Sequence, residues 1–200
     1  MLKLILVRHG QTQANLNHML QGASDGALTP IGIQQAEKLA FHLKDYPIDQ
    51  ILSSDLQRAS DTATAIAKYH NLSVKTTPLL REWNGGDLEG QPAEVFHQLL
   101  RTLKQSNTPL TTYRPTGGET LLEVHQRAEE FLNEIIHSSQ GKTTLVCSHG
   151  DFLRMALSII LNQDADLAET SIFFENGSYS IFEFIKDRWT TIALNQVPPG

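Results

Sequence analysis

An α/β fold built on a largely parallel sheet is the class this sequence predicts, on three observations. Strand-like and helix-like segments alternate from the first residues onward. Three apolar runs, LILV from Leu4, QIL from Gln50 and TLV from Thr144, pass directly into polar residues: Arg8-His9-Gly10, Ser53 through Arg58, and Ser148-His149-Gly150. With 200 residues, 40% hydrophobic and 19% charged, the chain suits one compact domain over residues 1–200, able to bury a core without disulfides or a structural metal. In an open parallel sheet the carboxyl ends of the strands share one edge, and ligands bind in the crevice there. Arg8, His9, Arg58 and His149 are therefore expected to converge.

The elements follow in order. Leu2 to Val7 reads as a buried strand. Leu28-Thr29-Pro30 opens a helix with Thr29 as N-cap and Pro30 at the first helical position, and Ile33, Ala36, Ala40 and Leu43 repeat at helical spacing until Tyr46-Pro47 stops it. Ile51 and Leu52 make a second strand. Asp55 is expected to cap the next helix, whose Leu56, Ala59, Ala63, Ile66 and Ala67 share a face. Leu72 to Thr76 reads as a short strand.

From Pro78 to Gly118 periodicity weakens, apart from a helix over Ala93 to Lys104. Gly85-Gly86, Pro109, Pro115 and Gly117-Gly118 mark this as the place for a lid or substrate loop. Thr120 with Glu123 forms a capping box for a helix running to about His137. Thr143 to Ser148 is a strand and Asp151 to Leu161 a helix. Asn176-Gly177 and Lys186-Asp187 then bound the alternating segments Tyr179 to Phe184 and Trp189 to Leu194, a terminal hairpin.

Charge and composition exclude several classes. The net charge of −6 and the scatter of the 16 basic residues argue against a nucleic-acid surface. No apolar run approaches the ~18 residues of a membrane span, and Arg8 interrupts the first one too early for a signal peptide. The single Cys147 excludes an internal disulfide framework and fits a reducing cytoplasm. A soluble cytoplasmic protein is expected.

Arginine is the side chain best suited to phosphate, because its planar fork binds two oxygens and stays charged. Arg58 falls at about the third position of its helix, where the helix dipole opposes a positive charge by ~0.3 to 1 kcal/mol; a locally unfavourable choice points to a functional demand. His9, followed by Gly10 at a strand end, sits where backbone can approach a ligand closely. A neutral imidazole attacks phosphorus if a carbonyl holds one ring nitrogen as N–H and leaves the other free. His149-Gly150 repeats the arrangement. His42, His70, His97, His125 and His137 read as solvated faces, and His18 is open.

For the proton that the leaving oxygen needs, Glu82 in REWNGGDLEG is the candidate, with Asp87 and Glu89 as rivals. No H-E-x-x-H, paired cysteines or ligand-spaced carboxylates suggest a metal, and no cofactor is called for. Cys147 and Arg154 enclose six residues rather than the five of a cysteine phosphatase loop, so Cys147 reads as core.

At these residues the chain resembles the histidine phosphatase superfamily, whose phosphoglycerate mutase-like members open with R-H-G-x-T. Leu6 to Thr12, Asn15, Gln21-Gly22, SSDLQRASDTA from Ser53, LREWNGGDLEG from Leu80, GGET from Gly117 and VCSHGDFLR from Val146 match in order over nearly the whole chain. Gln11 stands where many relatives carry Glu. The resemblance implies a three-layer αβα fold, a covalent phosphohistidine on His9, a phosphate pocket completed by Arg8, Arg58 and His149, and Glu82 as proton donor. Asn15, Gln21, Gly22 and Gly150 would lie on or near phosphate or substrate. It further implies a phosphomonoesterase acting on a small-molecule ester without metal or cofactor. Cofactor-dependent mutases are usually longer between Gln91 and Gly117, where this chain carries only Arg101, Lys104 and Arg114 as basic residues. The alternatives are such a mutase and a non-catalytic binder of phosphorylated ligands.

Overall fold

The computed structural model describes residues 1–199. Its centre is a six-stranded sheet formed by β1 (Leu2–Arg8), β2 (Gln50–Ser54), β3 (Val74–Thr77), β4 (Thr143–Ser148), β5 (Tyr179–Ile185) and β6 (Arg188–Gln196), in the order β3-β2-β4-β1-β5-β6. The first four strands are mutually parallel, whereas β5 runs antiparallel to β1 and forms the expected terminal hairpin with β6.

Both faces of the sheet are covered, and the alternation of β1 divides its side chains between two cores. Leu2, Leu4 and Leu6 join Val146 against α5 (Leu121–Ser138) and α6 (Gly150–Leu161). Ile5 and Val7 join Leu145 and Cys147 against α2 (Pro30–Leu43) and α3 (Gln57–His70). A strand buried on both sides needs apolar residues at successive positions, which is why β1 and β4 read as unbroken runs. Full burial pushes the Cys147 thiol above its ordinary range, so it behaves as core.

Thr29 and Thr120 cap α2 and α5 as expected, the second with Glu123 in a complete capping box. Asp55 does not cap α3: the N-cap is Leu56, which makes no side-chain bond, and the Asp55 carboxylate instead receives Nε and Nη2 of Arg81 at 2.8 and 2.6 Å. Arg58 accordingly stands at the second helical position rather than the third. The third strand starts two residues later than expected, because Leu72 still closes the end of α3 through a bond to Ala67. Two short helices lay outside the periodicity argument, α1 (Gln13–Leu16) and α7 (Ala165–Ser171).

The segment after β3 is ordered into α4 (Ala93–Gln105) and single helical turns at Pro78–Leu80, Gly86–Leu88 and Leu110–Thr112. It roofs the carboxyl edge of the sheet. Thr111 fastens it to α7, donating from N and Oγ1 to the Asp166 carboxylate at 3.0 Å each.

Candidate active site

Strand register dictates the centre of the site. Val7 pairs with Cys147 and Arg8 with Ser148 in adjacent parallel strands, so His9 and His149, one residue beyond, leave the sheet side by side. Their ring centroids are 5.1 Å apart, and both are buried. The α3 helix returns from the neighbouring β2 and delivers Arg58 from its first turn: Arg58 Nε donates to His149 Nδ1 at 3.1 Å. The four residues expected to meet do so, together lining or abutting a cavity of about 450 Å³ at the sheet edge.

Hydrogen bonds set the ring tautomers. His9 Nδ1 lies 2.7 Å from the Gly10 carbonyl oxygen, which can only accept; Nδ1 therefore carries the hydrogen and Nε2 keeps its lone pair. Burial and the charges of Arg58 and Arg8 hold His9 well below the ordinary histidine range, so the ring stays neutral. In His149 the assignment is reversed. Nδ1 accepts from Arg58, leaving Nε2 as the donor, and burial with the Arg58 charge keeps this ring neutral too.

Two donors are left without partners. His149 Nε2 and Arg8 Nε are both buried and make no hydrogen bond among the described residues, while Arg8 Nη1 is held by the Phe174 carbonyl. An orphaned buried donor costs about 1 to 3 kcal/mol, and an oxyanion in the cavity would satisfy both. Arg58 spends much of its fork on the neighbouring loop, donating from Nη1 to Ser24 O and from Nη2 to Gly22 O at 2.7 Å each.

Glu82 occupies the amino end of α6. Its Oε1 accepts from Asp151 N at 3.0 Å, Phe152 N at 3.2 Å and Trp83 N at 3.0 Å, replacing the side-chain cap that His149 does not provide. Despite these donors, burial and the neighbouring Asp151 raise its pKa to about 7, against the pull of Arg58. Oε2 points toward Gly150, where a Cβ would lie 3.6 Å from it, 3.9 Å from Arg8 Nε and 3.4 Å from Arg154 Nη1. Gly150 thus leaves open the space on which these groups converge. The rival carboxylates are held by other amides, although Glu89 also lines the cavity. Glu89 binds the amides of Ala23, Ser24 and Gly85, and Asp87 binds Thr116 N.

Asn15, Gln21 and Gly22 also line the cavity. Gly22 has φ +56°, and a Cβ there would stand 2.3 Å from Glu89 Oε1, so only glycine suits the turn. Asn15 is fixed through Oδ1 by Thr12 N at 3.1 Å and Asn176 Nδ2 at 3.2 Å, and Gln21 Oε1 by Thr12 Oγ1 at 2.7 Å.

Several contributors were not visible in the sequence. Thr62 Oγ1 receives Gly10 N at 3.1 Å and passes its own proton to Arg58 O at 2.8 Å, pinning the loop that holds His9. Arg127 on α5 gathers the carbonyls of Leu79, Arg81 and Glu82, fixing the segment that carries Glu82. Phe96, Leu100, Leu110 and Phe173 supply an apolar wall, and Asp151, Arg154 and Glu169 a charged one. The i,i+3 spacing of Asp151 and Arg154 at the start of α6 was the available signal for that pair; Glu169 offered none.

The remaining histidines depart in part from the solvated reading. His97 is exposed but stands on the rim of the cavity, His70 is half-buried, and His42 Nε2 meets the Tyr179 hydroxyl at 2.8 Å. Among the described residues no three His, Cys, Asp or Glu side chains are grouped as metal ligands, and no helix is long and apolar enough to cross a membrane.

Residues 4–197 match the sequence profile of the histidine phosphatase superfamily (branch 1). The "Probable phosphoglycerate mutase GpmB" of Yersinia pestis (strain Pestoides F) is 35% identical over 190 residues, covering 94% of this chain and 88% of its own. The α-ribazole phosphatase from Shigella flexneri superposes with a TM-score of 0.87 at 27% identity, covering 99% of this chain and 98% of its own. A phosphoserine phosphatase mutant from Entamoeba histolytica, solved with phosphoserine, gives 0.87 at 27% identity over 98% of each chain. A mycobacterial glucosyl-3-phosphoglycerate phosphatase, solved with vanadate, gives 0.86 at 26% identity over 96% and 98%. The chain belongs to the histidine phosphatase superfamily, with the three-layer α/β fold and the phosphatase or mutase type of activity of that group.

Proposed function

We propose that residues 1–200 form a single-domain phosphomonoesterase that works through a phosphohistidine on His9. The observation that carries this reading is the pairing of a neutral His9, Nε2 unprotonated, with two orphaned donors beside it, His149 Nε2 and Arg8 Nε. Phosphoryl transfer spreads negative charge over three oxygens, and fixed donors with arginine charge stabilise that charge best. The His9 Nε2 lone pair attacks phosphorus, the ester P–O bond breaks, and the leaving oxygen takes the proton of Glu82. Water then attacks the phosphohistidine and gives a proton back to Glu82, releasing inorganic phosphate and neutral His9. Asn15, Gln21, Gly22 and Gly150 border the path of the ester.

The substrate in this reading is a small phosphorylated metabolite, as the neighbours' names suggest for their own proteins. A mutase reading is favoured by the name of the Yersinia relative. Against it, Arg101 and Arg114 are paired with Glu94 and Glu123 at the surface, and neither they nor Lys104 line the cavity, so the basic residues of this segment give a second phosphate no seat there. Arg8 and Arg58 supply the positive charge a metal would provide, and the reaction is proposed to survive a chelator. A cytoplasmic setting, suggested by the lone unpaired cysteine, belongs to the same proposal.

The decisive experiment quenches turnover of a labelled phosphate monoester in alkali. Acid-labile label on the wild type, absent from His9→Ala together with turnover, is the expected result. Turnover and label that persist in His9→Ala would overturn the reading, and interconversion of 2- and 3-phosphoglycerate far faster than phosphate release would make the protein a mutase.

A further inference from the structure

Beside the groups that face the phosphate, α6 and α7 line the same cavity with a cluster of Asp151, Arg154 and Glu169. Arg154 Nη1 bonds Asp151 Oδ1 and lies 3.4 Å from Glu169 Oε1, while its Nε is held by Ile172 O at 2.8 Å. Glu169 is the exceptional member. Its side chain is only 7% exposed, it borders the cavity, and its Oε2 is buried without a hydrogen-bond partner among the described residues. A buried carboxyl oxygen left open beside the catalytic space calls for a polar group on whatever fills that space.

Charge decides which ligands can supply it. With Glu169 ionised, one arginine is shared by two carboxylates and the group carries −1. Burial and the charge of Asp151 raise the Glu169 pKa well above the carboxylate range; protonated, it makes the group neutral and itself becomes a hydroxyl donor. In neither state does the wall present net positive charge, although Arg154 Nη2 makes no hydrogen bond among the described residues. Beside it Phe96, Leu100 and Phe173 offer apolar surface.

We propose that Asp151, Arg154 and Glu169 form a leaving-group subsite that takes an alcohol bearing a hydroxyl or ammonium group and disfavours one bearing a carboxylate. This rests on the hydrolase reading above and narrows its substrates: esters of neutral or amino alcohols fit the wall, and phosphoglycerates do not. A carboxylate brought against the wall gains no net countercharge and loses its water.

The test compares glycerol 3-phosphate, phosphoethanolamine and 3-phosphoglycerate in two ways: kcat/KM with the wild type, and calorimetric binding to His9→Ala. The expected preference for either of the first two over 3-phosphoglycerate is about tenfold or more. Glu169→Gln should shrink that ratio to a few-fold, chiefly by weakening phosphoethanolamine and improving 3-phosphoglycerate. Asp151→Asn should move it the same way, and keeps the test alive if the first variant fails to fold. Equal or better use of 3-phosphoglycerate by the wild type, or a ratio that neither variant moves, would overturn the proposal. If the wild type hydrolyses none of the three esters, the hydrolase reading falls, while the binding series with His9→Ala still decides the character of the wall.

Discussion

Replacing Glu82 with glutamine should make the protein more stable and less active at once, for the same reason. The fold raises the Glu82 pKa from 4.5 to about 7, because burial and Asp151 disfavour the ionised form. An acid whose folded pKa is raised is penalised wherever it is ionised in the fold, so this group costs nothing below about pH 4, and its cost grows until pH passes 7. A shift of about 2.5 units at about 1.36 kcal/mol each sets an upper value of about 3 kcal/mol. Water reaching the half-buried carboxylate and the three backbone donors around it reduce the return, so Glu82→Gln should gain about 1 to 3 kcal/mol above pH 7. Its amide oxygen can still accept from the α6 amides. Urea unfolding of both proteins from pH 4 to 8 measures the difference, to which the depressed pKa values of His9 and His149 contribute little, being present in both. Stopped-flow measurement of phosphoenzyme formation should meanwhile fall by ~10² to 10⁴-fold for an alkyl phosphate and much less for p-nitrophenyl phosphate, whose leaving group scarcely needs a proton. A stability difference that is flat with pH, or wild-type phosphorylation rates for both esters, would refute the assignment of Glu82 as a protonated acid at neutral pH.

The remaining predictions follow the same geometry. Phosphoenzyme formation from an alkyl ester should decline as pH rises through about 7, where Glu82 loses its proton, and hold on the acid side well below 6.5, because His9 remains neutral there; a rapid-quench pH profile checks both limbs. Thr62→Val should cost about 1 to 3 kcal/mol in chemical denaturation, since it leaves the buried Gly10 N–H without an acceptor, and should lower kcat through the loosened His9 loop. Gly22→Ala should lower thermal stability and weaken vanadate binding, because its Cβ would collide with Glu89 Oε1 and disturb the carbonyl that holds Arg58.

Much of this site was legible in the sequence because its parts sit at local landmarks. Strand ends marked by a change from apolar to polar residues gave Arg8, His9 and His149, and the R-H-G-x-T resemblance joined them to Arg58 and Glu82. Periodicity and caps gave α2, α5 and the terminal hairpin, where local propensity and tertiary packing agree. Asp55 misled the same reasoning. As a cap it would gain one backbone bond, but the fold brings Arg81 from 26 residues away, and its guanidinium takes both Asp55 oxygens.

Tertiary structure alone decided the rest. Which ring nitrogen of His9 and His149 carries a proton depends on the Gly10 carbonyl and on Arg58, 91 residues from His149. Of the three carboxylates in one glycine-rich stretch, Glu82 is the one carried to the amino end of α6, while Asp87 and Glu89 bind other amides. The wall of Asp151, Arg154 and Glu169 exists because α7 packs back over α6, bringing a buried carboxylate to an arginine already engaged with another. A sequence specifies which side chains stand at the ends of its own strands and helices, because those positions are set by local periodicity and turn chemistry. Protonation, desolvation and the sharing of one cation between two anions are set by distance in space, and here those distances are closed by strand register and helix packing.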